Sequence, residues 1–108
     1  MTPLEVRLAE LAERGETVTY GALARQLGLR IGALTTALEA LMESDAAAGL
    51  PFRAAVCAAR LSAEAVPAKG FFDKAAALGR PTDDPAGFVR SERAKLQERG
   101  RDLRASAL

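Results

Sequence analysis

The chain contains no histidine, and that gap alone closes off much of enzymology. Histidine is the usual general base near neutral pH and the commonest zinc ligand. Without it a Ser-His or Cys-His nucleophile cannot be assembled, and a structural zinc site loses its usual donors. Cysteine occurs once, at Cys57, so no internal disulfide forms. The expectation is a non-enzymatic protein with no metal and no cofactor. Aromatic residues make up 5% of the 108 residues and tryptophan is absent, so few large rings are available to fill a core. No run of about 18 apolar residues occurs, which argues against a membrane span. The first residues are acidic early and lack a basic-then-apolar signal pattern, so a cytoplasmic location is expected.

Alanine is what the chain has in abundance: 24 residues, within an apolar fraction of 49%. Alanine leads the helix scale, so the composition favours helices packed closely through Leu, Val and Ala. At this length there is room for one modest core. Thr2-Pro3-Leu4-Glu5 is a helix start, with Thr2 as N-cap, Pro3 at the first helical position and Glu5 completing a capping box. Leu4, Leu8, Leu11 and Ala12 give one apolar stripe, and Gly15 stops the helix, which spans 3–14. Thr17-Val18-Thr19 is a short extended run. The spacing of Leu23, Ala24 and Leu27 predicts a second helix over 20–27, ended by Gly28. Leu29-Arg30 forms the turn. A third helix then runs from Ile31 to about Ala47, with Ile31, Leu34, Leu38, Leu41 and Met42 facing inward. Thr35, Thr36, Glu39, Glu43 and Asp45 face solvent.

Beyond Pro51 the stretch Phe52–Ala58 reads as a strand, and Pro67-Ala68-Lys69-Gly70 as a turn. A short helix follows over 71–78, stopped by Gly79. Asp84-Pro85 starts a last helix that reaches about Arg99, with Gly100 beyond it and frayed residues after that. Three helices, a strand and a glycine-containing turn give a mainly α fold with a small β component. The predicted architecture is a winged helix-turn-helix over 1–80, with an added C-terminal helix and tail over 81–108.

Several short stretches carry a family likeness. Thr19-Tyr20-Gly21, Gly28, the Pro51-led "PFRAAVCAAR" and Gly70-Phe71-Phe72 occur in one order and at similar gaps. On these, residues 18–72, about half the chain, resemble the DNA-binding domain of the O6-alkylguanine-DNA alkyltransferases and their alkyltransferase-like relatives. The resemblance implies duplex DNA as a partner. In that family a Pro-Cys-His-Arg motif supplies the cysteine that accepts the alkyl group, and Cys57 and Arg60 sit near the equivalent places. Here Val56 precedes Cys57 and Ala58-Ala59 follow it, so the thiol lacks its activator. Leu34 stands where the family carries an arginine on its recognition helix. Alkyl transfer is therefore not expected, and Cys57 reads as a small apolar core residue.

Charge is divided between the two halves. Residues 1–50 carry four basic and seven acidic groups, a net of −3, and residues 51–108 carry eleven and seven, a net of +4. Phosphate neutralisation dominates DNA affinity, so a binding face must be gathered from scattered cations. The candidates are Arg25, Arg30, Arg53, Arg60 and Lys69, joined by Tyr20, Thr35 and Thr36 on the two helices. Tyr20 admits two readings, a ring packed on the core or a contact to a nucleic-acid backbone. The basic last helix, with only Phe88, Val89 and Leu96 as a thin apolar stripe, could dock lightly, act as an electrostatic arm, or simply aid solubility. Two functions stay open: a non-catalytic module binding DNA or acting in a DNA-associated regulatory complex, or an adaptor or homodimerising unit that contacts protein.

Overall fold

The computed structural model describes residues 1–62 and 64–106. Helix α1, Pro3–Arg14, opens as its sequence dictates. The backbone N–H of Glu5 donates to the Thr2 hydroxyl, and the Glu5 carboxylate accepts from the Thr2 N–H. That N–H, with Arg53 beside it, holds the Glu5 carboxyl below its usual range. Gly15 closes the helix at φ 68°, a left-handed conformation that calls for glycine, with the Gln97 amide 2.9 Å from where a Cβ would stand. Strand β1, Val18–Thr19, leads directly into α2, Tyr20–Leu27, which Thr19 caps by accepting the Ala22 N–H. Three residues, Gly28 to Arg30, then turn the chain into α3, Ile31–Ala47.

Two expectations for α3 need correction. Ile31 is 54% exposed, because it stands on the open wall of a crevice and the inward stripe begins at Leu34. Asp45 is buried, at 2% exposure, whereas its charge suggested a solvated position. It continues the stripe Leu34, Leu38, Met42 and therefore points inward by geometry alone. Its charge is met there: both carboxylate oxygens accept from Arg53, whose backbone N–H donates at 3.0 Å and whose Nη2 lies 2.9 Å away.

Residues Phe52–Ala58 are not one strand. Arg53–Val56 wind as a 3-10 turn, and only Cys57–Ala58 form β2. Alanine has no strand preference, and with Phe52 wholly buried a compact turn brings Ala54, Ala55 and Val56 inward together. The strands pair in parallel, Val18 with Cys57 and Thr19 with Ala58. No further strand joins them among the described residues, so the predicted strand-and-turn segment does not make a β-hairpin. Helix α4 covers Lys69–Ala77, absorbing Lys69 and Gly70 from the expected turn, and α5 covers Pro85–Ser106.

Helix α5 is longer and more deeply seated than its thin stripe suggested. It passes through Gly100, which lies against α1: a Cβ there would stand 3.5 Å from the Glu13 Cβ. Two bonds fasten it to α1, from Gln97 Nε2 to the Glu13 carbonyl and from Arg104 Nη1 to the Glu13 carboxylate. Val89, Glu92 and Leu96 are buried. Four phenylalanines gather in one cluster at the α3–α4–α5 side. Phe52 meets Phe71 and Phe88 edge-on at 6.0 and 6.3 Å, and the Arg80 guanidinium stacks over Phe52 at 3.9 Å. Full burial of one such ring contributes about 2–3 kcal/mol. Among the described residues no helix is long and apolar enough to cross a membrane.

Two adjacent side chains of α5 hold the 3-10 turn and β2 in place. The Glu92 carboxylate accepts from the Phe52 N–H and from Arg80. The Arg93 guanidinium donates to the carbonyls of Ala55, Cys57 and Ala65. Replacing Arg93 with Met leaves those carbonyls without their donors, so Arg93→Met is expected to lower stability in urea by about 3 kcal/mol. The exposed Arg90→Met, one turn away, should change it by less than about 0.5 kcal/mol. Equal effects from the two variants would show that the carbonyl contacts carry no special weight.

Candidate nucleic-acid interface

The face built by α2, its turn and the first half of α3 contains most of the residues singled out from the sequence. Arg25 is exposed and lies along Gly21, its Nη1 3.6 Å from where a Cβ there would be. Arg30 is exposed at the N-cap of α3 and makes no side-chain cap bond, so the first-turn amides of that helix stay open to solvent or a ligand. Neither arginine has an ion-pair partner among the described residues. Thr36 is exposed. Thr35 is exposed too, but its hydroxyl donates to the Ile31 carbonyl at 3.0 Å and can only accept from anything else.

Tyr20 packs on the core, half-buried, and its hydroxyl accepts the Ala68 N–H at 3.1 Å. That bond ties the start of α2 to the start of α4 and brings Lys69 to the edge of the same face. Lys69 spans to Asp73 at 3.0 Å, an exposed i,i+4 pair of little strength. Arg60 is exposed on the loop that follows β2. Because β1 and β2 are parallel, that loop and the start of α2 leave the sheet at the same end.

Arg53 does not belong to this surface. Its guanidinium lies between Asp45 and Glu5, with Nη1 2.9 Å from the Glu5 carboxylate, and both are occupied with it. A guanidinium that neutralises two carboxylates inside the fold has no capacity left for phosphate. The sequence suggested a cation at this position, and the missing signal was its partner: Asp45 falls on the buried register of α3, eight residues earlier. Arg93, on the basic last helix, is not free for a ligand either. It is half-buried, with desolvation lowering its pKa, and it serves backbone carbonyls rather than a ligand.

The acidity of residues 1–50 is largely paired. Glu5 and Asp45 pair with Arg53, Glu10 with Arg7, Glu13 with Arg104, and Glu43 with Lys74 at 2.6 Å. Only Glu16 and Glu39 lack a cation partner among the described residues, and on α3 the first carboxylate is Glu39, two turns past Arg30. Five of the seven carboxylates of residues 1–50 are thus held in ion pairs.

A crevice of about 280 Å³ opens beside this face, between Tyr20, Thr35 and Glu39 on one side and Ala68 to Phe71 on the other. Cys57 is not in it. The thiol is fully buried and burial pushes its pKa up to about 12, the opposite of an activated nucleophile. The same desolvation pushes the Tyr20 phenol up to about 12. Among the described residues no group of three or more Cys, Asp or Glu side chains is placed to hold a metal ion.

Tyr20 is the chain's one tyrosine, so its ionisation can be followed by absorbance without ambiguity. A phenol raised on folding favours the native state at neutral pH. That contribution fades as pH climbs from the unfolded value near 10 towards the folded value. The expected titration therefore shows no phenolate at pH 10 and a rise only near 12 or with unfolding. A reversible midpoint near 10 in folded protein would mean that the Tyr20 ring is not buried against the core.

Comparison with protein-family models, with curated proteins and with solved structures gives no match to this chain.

Proposed function

We propose that this chain is a non-catalytic, winged-helix-like module of the cytoplasm that binds duplex DNA, in a DNA-associated regulatory role like that implied by its resemblance to alkyltransferase DNA-binding domains. One observation carries the reading. Among the described residues Arg30 stands unpaired at the N-cap of α3, Arg25 lies unpaired on the exposed face of α2 beside Gly21, and α3 carries no carboxylate before Glu39. A helix N-terminus that carries a cation suits phosphate, through open backbone amides and the helix dipole together. Arg60 and Lys69 extend the cationic character at the end of the sheet. Thr36 offers a hydroxyl able to donate or accept, and Thr35 offers an acceptor. The buried thiol of Cys57 and the absence of histidine support binding without chemistry.

Four cationic contacts set the scale. Counter-ion release at about four phosphates gives a salt slope near −3.6, so affinity should fall roughly a hundredfold between 50 and 200 mM salt. Fluorescence anisotropy on a labelled random-sequence duplex is expected to show this. The double variant Arg25→Glu/Arg30→Glu should lose at least about tenfold at low salt, with a shallower slope and unchanged unfolding. Wild-type binding by that variant would place the surface elsewhere. An absence of binding even at low salt would reject the DNA reading and favour a protein partner, for which the exposed Leu29 and Ile31 on the same face supply apolar contact.

A further inference from the structure

The loop between β2 and α4 carries a side chain that folding does not explain. Leu61 is 94% exposed and lies outside the core cluster, and its backbone sits at φ 64°. That is the left-handed region, where a leucine is strained and a glycine is not.

The strain is built in by a hydrogen-bonded frame. The Ala59 N–H donates to the Val66 carbonyl at 2.8 Å and closes the base of the loop. The Ser62 N–H donates back to the Ala59 carbonyl at 3.2 Å, so residues 59–62 form a tight turn. Leu61 takes its third position, where a type II turn calls for glycine. The Ser62 hydroxyl in turn accepts the Val66 N–H. Ala65, also at positive φ, presents its carbonyl to the Arg93 guanidinium, so its conformation serves the fold. Leu61 is held just as firmly and points its side chain at solvent.

Its surroundings suit a polyanion. Arg60 precedes it, exposed and without an ion-pair partner among the described residues. The loop leaves the sheet at the end where α2 begins and returns there through the bond from Ala68 to Tyr20. The Tyr20 ring lines the same crevice as Ile31 and Thr35, so the loop and the first turns of α3 share a neighbour. Glu64, further along the loop, is exposed and offsets Arg60, so the loop brings an apolar tip and no net charge. A rigid apolar side chain on a DNA-binding face can enter a base step from the minor groove, trading stacking for a bend.

We propose that Leu61 is a wedge that enters a base step of duplex DNA, with Arg60 on the neighbouring phosphate. The proposal rests on the duplex-binding reading above and adds a preference to it, for DNA whose stacking is already interrupted.

The test compares a short intact duplex with the same duplex carrying a central single-nucleotide gap, by anisotropy at low salt. The gap removes the unstacking cost that a wedge meets in intact DNA, so the full chain is expected to bind the gapped duplex at least about tenfold tighter. Leu61→Gly relieves the backbone strain, so its unfolding midpoint should not fall. That variant is expected to bind both duplexes equally, with an unchanged salt slope because no charge is lost. Leu61→Met returns an apolar side chain and should restore the preference. Equal binding of the two duplexes by the unsubstituted chain overturns the wedge and leaves the duplex reading standing. So does a gap preference that survives in Leu61→Gly. Binding of neither duplex at low salt removes the duplex reading, and the wedge with it.

Discussion

Everything on the far side of the sheet depends on how α5 handles the backbone of residues 52–58. That segment is too short and too alanine-rich to satisfy itself as a sheet, and it is almost wholly buried. A buried backbone without partners is expensive, and a two-residue parallel ladder satisfies few of its groups. Glu92 and Arg93 fill the gap from one turn of α5, the first taking the Phe52 N–H and the second three carbonyls. The helix that composition presents as a charged appendage is thus the outer wall of the core. Ala65, the last of those carbonyls, lies on the loop that carries Arg60, so the position of that cation also rests on α5.

A second pattern follows from how charge is spent. The chain has nearly equal numbers of acidic and basic groups, and a count by halves made its first half look hostile to nucleic acid. In the folded chain, Arg53, Lys74 and Arg104 reach back from the basic half to neutralise Glu5, Asp45, Glu43 and Glu13. The surface that remains around the α2–α3 turn is cationic by subtraction. Surface pairs such as Lys74–Glu43 add little stability, and their consequence here is for the field outside the protein.

Local chemistry was legible in the sequence and long-range pairing was not. Thr2, Glu5, Gly15 and Gly28 state their roles through neighbours within four residues, so α1 and α2 were correct to the residue. The limits of α3 were equally plain, but Ile31 followed the inward period and still lies outside, because periodicity does not say where a neighbouring helix ends. Asp45 could have been placed inward by its spacing from Leu34, Leu38 and Met42, yet its charge outweighed its register. The partner that makes its burial affordable lies on a different element. Phe52–Ala58 was misread because alanine carries no information about period. For α5, Gly100 resembled a terminator when it was instead a point of close approach to α1, a distinction only the tertiary structure contains. Of the candidate site, Arg25, Arg30, Thr36, Arg60 and Lys69 are exposed as read, while Arg53 is lost to an ion pair that needed Glu5 and Asp45 to be seen together. The crevice above Met42 had no sequence signature, since its walls come from four separate elements.

The measurement closest to the centre of this account is native-state hydrogen exchange on the unmodified chain. If α5 is the wall that satisfies the buried segment, the amide of Phe52, which donates to Glu92, should exchange only through the opening that also exposes Val89 to Leu96, with one shared free energy close to that of global unfolding. Exchange of residues 89–96 at a distinctly lower free energy than Phe52 would contradict it, because α5 could then leave while the segment stayed folded.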